Sequence, residues 1–229
     1  RPPRSTRKES SAASDVYKRQ MEEELEKVFT QLKTRSFCAI GEIGIDLYWD
    51  KSFLKQWRAK VGEAAAEKII SDAGKIGTAL HLYIERFVNG DKYKDLTEIG
   101  IQAEKMAQKI INESFSDITE IWGSEVHLYN PGKYAGTADM IVVYKGRPAI
   151  MDFKQTNKPK KTEWVEDYFL QLCAYAHAHN NMFETNISKG VILMCSKDYQ
   201  YQEWILEGAA FDHYSNIWFD RVAQYYEQG

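Results

Sequence analysis

Between residue 51 and the end of the chain the spacing of apolar positions changes repeatedly, and each change marks an element. Trp57, Val61, Ala64 and Ala65 fall at i, i+4, i+7 and i+8, the spacing of one buried helical stripe. A second helix is expected to start near Lys75 and to stop at Asn89–Gly90, where glycine suits a left-handed end. A long helix follows, from about Leu96 to Ser114. The period then shortens to two, predicting strands near Ile118–Leu128, Ala138–Tyr144 and Ala149–Lys154. A helix over about Trp164–His179 precedes strands near Gly190–Ser196 and Tyr201–Leu206. A last helix is anchored by Phe211, Ile217, Trp218, Val222 and Tyr225. Helices, a sheet and more helices, with no repeats, predict one α/β domain with a central mixed β-sheet flanked by helices.

The first quarter reads differently. Residues 1–20 are rich in Arg, Lys, Ser and Ala and have almost no large apolar residues. Such a segment cannot bury enough surface to offset its ordering entropy, so a disordered tail is expected, with a basic DNA-binding arm as the sharper alternative. Within residues 21–52, MEEELEKVFTQLKT has the pattern of an amphipathic helix with acidic residues in its first turn. FCAIGEIGIDLYWD reads as a short buried strand and a turn.

Composition narrows the classes. The chain has 229 residues, 44% of them hydrophobic, enough for one sizeable core. Its three cysteines, Cys38, Cys173 and Cys195, show no paired spacing, which argues against a disulfide framework or a zinc site and for a reducing, cytoplasmic setting. No apolar run is long enough to span a membrane, and no secretory signal is visible. With a net charge of −3, a nucleic-acid partner would have to meet a local basic surface.

The chemistry concentrates in AGTADMIVVYKGRPAIMDFKQTNK, residues 135–158. Lys145-Gly146-Arg147-Pro148 carries turn chemistry between two β-rich runs. That places Asp139 at the outer end of the first strand. Asp152 and Lys154 share one face of the second strand with Ile150, while Met151 and Phe153 take the other. The hairpin brings Asp139 and Asp152 to the same sheet end. Two adjacent carboxylates repel unless a cation lies between them, and oxygen ligands favour a hard ion such as Mg²⁺ or Mn²⁺. A lysine two residues on can position a water or stabilise charge on a phosphoryl group. A plain strand-end salt bridge between Asp152 and Lys154 accounts for the same residues.

Helical neighbours add to the set. His81 and Glu85 stand at i and i+4 on one helix face, as do Gln171 and Tyr175 on the helix after the hairpin. The first pair suits a metal site or a structural histidine, the second a phosphate contact or a polar helix edge. The loop QTNKPKKTEW brings Lys158, Lys160 and Lys161 beside the hairpin end, either as a phosphate clamp or as a solvated loop. Trp164 and Tyr168 can stack on unpaired bases or pack into the core. Tyr129 and Tyr134 flank a Pro-Gly loop that reads as a surface turn or a DNA contact.

GTALHLYIE, GTADM, MDFKQ and QLCAY, in this order, resemble the PD-(D/E)XK nuclease superfamily, most closely the RecB-like branch that includes phage exonucleases and the mitochondrial genome maintenance exonuclease. WRAKVGEAAAEKI looks like the same branch. The resemblance covers residues 53–229 and implies a restriction-endonuclease-like sheet and hydrolysis of DNA phosphodiesters. By this resemblance Asp139 and Asp152 ligate the metal, with the carbonyl of Phe153 as a further ligand. Lys154 orients or activates the attacking water, and His81 reaches the metal shell. Glu85 acts through a water, Gln171 and Tyr175 hold the strand or steady Lys154, and Glu125 is an additional acidic site member. The implied partners are linear DNA, as ends or single strands, and a protein of phage recombination. The Fe–S cluster of some relatives needs four cysteines and is not expected here.

Upstream, GEIGIDLYWDKS resembles a strand-end motif of TatD-type metal-dependent hydrolases, in which the glutamate matching Glu42 ligates a metal. Those enzymes are barrels of eight βα units, on the order of 250 residues, which the downstream sequence does not supply. SAASDVYKRQ resembles a translated sequencing adaptor. A chimeric sequence and a natural fusion both account for residues 21–52. Three functions therefore remain open: a metal-dependent DNA exonuclease, a TatD-like hydrolase, and a non-catalytic DNA-binding protein on a nuclease fold.

Overall fold

The computed structural model describes residues 38–39 and 51–227, with side chains from residue 55. The expected tail, the helix over residues 21–34 and Glu42 lie outside the described residues. Two helices open the continuous part, α1 (Lys51–Val61) and α2 (Glu63–Asn89). They part at Gly62, whose φ of 87° is left-handed backbone that a side chain would strain. The break is therefore at Gly62 and not near Lys75; α2 runs straight through Gly74 and Gly77. The expected stripe shifts with it. Ala64 and Ala65 are exposed and Trp57 and Val61 only half-buried. The buried stripe is Ile76, Leu80, Tyr83 and Ile84, the same i, i+4, i+7, i+8 spacing further along the helix. Gly90 ends α2 in the left-handed conformation with its N–H on the last turn, as expected.

The Thr97 hydroxyl accepts from the Gly100 N–H and starts α3 (Glu98–Ser114). Its apolar side, Ala103, Met106, Ala107 and Ile110, packs with α2 on one sheet face against Met140, Val142, Met151, Phe153, Val191 and Leu193. On the other face α4 (Glu166–Phe183) and α5 (Ala209–Glu227) cover Ile141, Ile150, Ile192 and Met194. The alternation of Ile150 against Met151 and Phe153 is the period-two reading realised: both faces of the strand are buried, each under its own helix pair.

Among the described residues the sheet is mixed and has six strands: β1 (Cys38–Ala39), β2 (Ile118–Asn130), β3 (Tyr134–Tyr144), β4 (Arg147–Thr156), β5 (Lys189–Ser196) and β6 (Tyr201–Glu207). β4 and β5 run parallel, joined through α4, and β1 is parallel to β3; the other pairs are antiparallel. Lys145 and Gly146 alone make the β3–β4 turn, with φ of 49° and 76°, a primed two-residue hairpin. Arg147 and Pro148 already belong to β4, so the turn is shorter than its residues suggest.

β3 carries the feature that matters for chemistry. It pairs with β2 along its whole length, but with β4 only from Met140 to Tyr144. Its other end pairs with β1 at Tyr134 and Ala135. Between these contacts β3 and β4 fork. Asp139 sits inside the fork, in mid-strand, and not at the outer end of a short strand as expected. Among the described residues no helix is long and apolar enough to cross a membrane.

Candidate metal centre at the sheet fork

At the fork the β3–β4 ladder stops, and a side chain takes over its next hydrogen bond. The Phe153 N–H donates to Asp139 Oδ2 at 2.7 Å. At the next peptide group of the same residue, His81 Nε2 on α2 lies 2.9 Å from the Phe153 carbonyl and donates to it. His81 Nδ1 then faces Asp139 Oδ1 at 3.4 Å and Glu125 Oε1 at 4.0 Å. His81, Glu125 and Asp139 each offer a ligand atom, all within 4.8 Å of one another. Glu85, Phe153 and Ser124 line the same cleft.

Glu125 reaches this cluster through its backbone. It lies opposite Asp139 across the β2–β3 pair, between the partners Ser124–Met140 and Val126–Ala138. Its φ is 51°, a left-handed conformation inside a strand. That conformation costs a non-glycine residue about 1–2 kcal/mol, and such strain concentrates at functional sites. Burial and the Asp139 charge both push the Glu125 carboxyl above its usual range, with His81 opposing. Burial pushes Asp139 up too, but the hydrogen bond and charge of His81, with Lys154 behind, hold it low. His81 responds reciprocally: burial depresses it, and Asp139 more than restores it, so its pKa lies above the ordinary value.

Asp152 and Lys154 form a second group on the α4 side. Lys154 Nζ straddles the Asp152 carboxylate, 2.7 Å from Oδ1 and 2.6 Å from Oδ2. The carboxylate is buried. Burial raises Asp152 to about 6 against the pull of Lys154, and the Asp139 charge adds to the rise. Lys154 sits above its ordinary value: burial alone would lower it, but the charges of Asp152 and Asp139 overcome that. Lys154 is thus an ammonium at neutral pH, a hydrogen-bond donor and not a base. Of the two readings of the hairpin charges, the Asp152–Lys154 salt bridge is formed, and it is Asp139, not Asp152, that stands in the cluster with His81 and Glu125.

The remaining candidates separate. Gln171 donates to the Tyr175 hydroxyl at 3.2 Å, and neither bonds to Lys154. Burial, with the charges of Asp152 and Asp139 after it, lifts Tyr175 to about 12. The aromatic ring beside Lys154 is that of Tyr168, with its centroid 5.1 Å from Nζ. A ring with a cation on it leaves no sequence pattern, and Tyr168 was expected only as a base stacker or a core residue. Lys158 and Lys161 are exposed, whereas Lys160 is half-buried and rests on the same Tyr168 ring. Trp164 is 60% exposed, in the turn before α4, with Lys161 Nζ 5.7 Å from its ring; it is not a core residue. Tyr134 is core: it is fully buried, and its hydroxyl donates to the Ala174 carbonyl at 3.2 Å.

The other described histidines are engaged away from this cleft, His127 with Thr137, His177 with Ser215, His179 with Thr185 and His213 edge-on to the Tyr214 ring. Cys173 and Cys195 are buried free thiols.

No family model matches the chain, and no curated protein matches it. Among solved structures it is similar to one described as "Crystal structure of SSO0001", at 14% identity and a TM-score of 0.41, over 91% of this chain and 86% of that one.

Proposed function

We propose that this chain is a divalent-metal-dependent DNA exonuclease, acting on phosphodiester bonds of linear DNA in a cytoplasmic setting. The observation that carries the reading is the convergence of His81, Glu125 and Asp139 at the fork, with a buried Asp152–Lys154 pair one strand position away. The donor set fits a hard cation. Two carboxylates and an imidazole meet, one carboxyl is raised by burial and by its neighbour's charge, and one donor is delivered by strained backbone. Such a cation supplies Lewis acidity at a phosphoryl oxygen.

The chain's own groups supply the rest. His81 is held by the Phe153 carbonyl and Asp139 by the Phe153 N–H, so the backbone of one residue orients both ligands. Lys154, kept charged by Asp152, donates to the attacking water or to a phosphoryl oxygen. The water oxygen bonds to phosphorus and releases a proton to solvent, the bond to the leaving oxygen breaks, and that oxygen takes up a proton from solvent. Lys158, Lys160, Lys161 and Trp164 offer cations and one aromatic face for a strand entering the site. No base-reading motif accompanies them, so recognition is of the backbone.

The test is cleavage of labelled linear and circular DNA in Mg²⁺, Mn²⁺ or EDTA by the wild type, Asp139→Asn, Asp152→Ala and Glu42→Ala. Asp139→Asn keeps an oxygen for the Phe153 N–H, so the fold is retained while a charged ligand is lost. The expected result is metal-dependent loss of linear DNA, with Asp139→Asn and Asp152→Ala each lowering kcat at least about a hundredfold. Cleavage that survives either of these two substitutions, or that proceeds in EDTA, refutes the reading. Binding without cleavage points instead to a non-catalytic DNA-binding protein, and activity lost only in Glu42→Ala to a TatD-like hydrolase.

A further inference from the structure

Lys154 and Lys160 come from different parts of the chain, one from β4 and one from the loop after it, yet their ammonium groups share the ring of Tyr168. The ring centroid is 5.1 Å from Lys154 Nζ and 5.2 Å from Lys160 Nζ. Lys160 Nζ also lies 3.2 Å from the Tyr168 hydroxyl and donates to it. Lys160 is not on a free loop. Its N–H donates to Gln202 Oε1 at 2.7 Å, and its carbonyl accepts from Gln202 Nε2 at 2.8 Å, so the side-chain amide on β6 grips the backbone of this residue like a neighbouring strand. The Thr156 hydroxyl donates to the Lys158 carbonyl and fixes the loop's start.

Charge accounting separates the two lysines. Lys154 is neutralised by Asp152. Among the described residues no carboxylate pairs with Lys160. An ammonium fixed beside a second ammonium, with no counter-charge of its own, is a place for an anion. Under the nuclease reading, on which this step rests, that anion is a phosphate of the DNA strand.

We infer that Tyr168 is a positioning residue of the reaction, its ring holding the Lys154 ammonium on the Asp152 carboxylate and its hydroxyl aiming the Lys160 ammonium at a backbone phosphate next to the scissile one. One residue on α4 thereby sets the distance between the group that acts on the reacting phosphate and the group that grips its neighbour. Ring and hydroxyl have separable effects. The ring works on the chemical step, the hydroxyl on substrate capture.

The experiment is steady-state cleavage of linear DNA by the full chain with Tyr168→Phe, Tyr168→Leu, Lys160→Met and the Tyr168→Phe/Lys160→Met double variant. Tyr168→Leu removes the cation–π contact and lowers kcat about tenfold. Tyr168→Phe restores kcat to within about twofold of wild type while KM rises about three- to fivefold. Lys160→Met raises KM by a similar factor and flattens the salt dependence of KM by about one phosphate contact. The double variant is no worse than Lys160→Met alone, because the hydroxyl acts through that lysine. Equal kcat in wild type and a folded Tyr168→Leu overturns the inference. So does a Phe variant whose kcat falls as far as that of the Leu variant, or an additive double variant. If Tyr168→Leu does not fold, the Phe–Met cycle decides alone. A wild type that cleaves nothing refutes the nuclease reading itself, a different result from any of these.

Discussion

Glu125→Gly offers a test in which stability and metal binding move in opposite directions. The glutamate holds φ 51°, which costs a residue with a side chain about 1–2 kcal/mol, and glycine removes that cost. Glycine also loses about 0.5–1 kcal/mol more backbone entropy on folding. The net gain is about 0.5–1 kcal/mol for the metal-free protein, augmented by removal of a carboxylate that crowds Asp139. The metal term has the opposite sign. At a Mg²⁺ concentration ten times its Kd, binding stabilises the wild type by about 1.4 kcal/mol. A tenfold weaker site in the variant gains only about 0.4 kcal/mol at the same concentration. In EDTA the variant therefore melts above the wild type by about 1–4 °C. With Mg²⁺ or Mn²⁺ the difference closes or inverts. Differential scanning calorimetry with and without metal reads both terms. A variant less stable than wild type in EDTA refutes the strain argument. Equal metal-induced shifts in both proteins refute Glu125 as a ligand.

Two further outcomes follow from groups outside the cleft. His179 is fully buried, and burial lowers it to about 4 from an ordinary 6.5, so the unfolded chain binds more protons between those values. Its contribution is complete above about pH 6.5 and fades as pH falls toward 4. Urea midpoints are thus expected to report a loss of about 2 kcal/mol between pH 7.5 and 5, which His179→Gln largely abolishes. At the sheet–α4 contact, a Cβ on Gly190 would stand 2.7 Å from Leu172 Cδ1 and 2.8 Å from Leu172 Cβ. Since Leu172 Cβ is tied to the helix backbone, Gly190→Ala is expected to cost about 1–3 kcal/mol in chemical denaturation, and a neutral result would show that α4 yields.

Element type was legible from residue 51 onward because each element here carries a clear period, as in the stripe of α3 and the alternation of β4. Boundaries set by single backbone conformations were less so. Gly62, Gly74 and Gly77 are the same letter, yet only Gly62 breaks a helix. Gly77 is instead where α2 approaches β4, with Gln155 3.9 Å from the position of a Cβ. The candidate residues on β4 were placed on the right faces, since strand parity alone decides that. Asp139 was misplaced along its strand because a hairpin seen in isolation cannot reveal that β3 outruns β4 to meet β1. The same blindness hid why Glu125 belongs to the cluster. Its residue type suggested an acidic neighbour, but only the folded backbone has the left-handed kink that aims it. Tyr134 and Trp164 exchanged their expected environments. The tyrosine beside a Pro-Gly turn is buried under α4, and the tryptophan near the basic loop faces solvent.

The bond from the Phe153 N–H to Asp139 has a further consequence. A carboxylate that seals a split ladder cannot move without uncovering an amide. A cation that draws Asp139 off Phe153 loosens that one proton while the ladder on the far side of the fork stays closed, and one held through Oδ1 alone leaves it protected. Hydrogen exchange at a single backbone position then registers the occupancy of the cleft, with no label attached and no substrate turned over. The fork is in this sense a gauge written into the main chain, readable at Phe153 before any reaction has taken place.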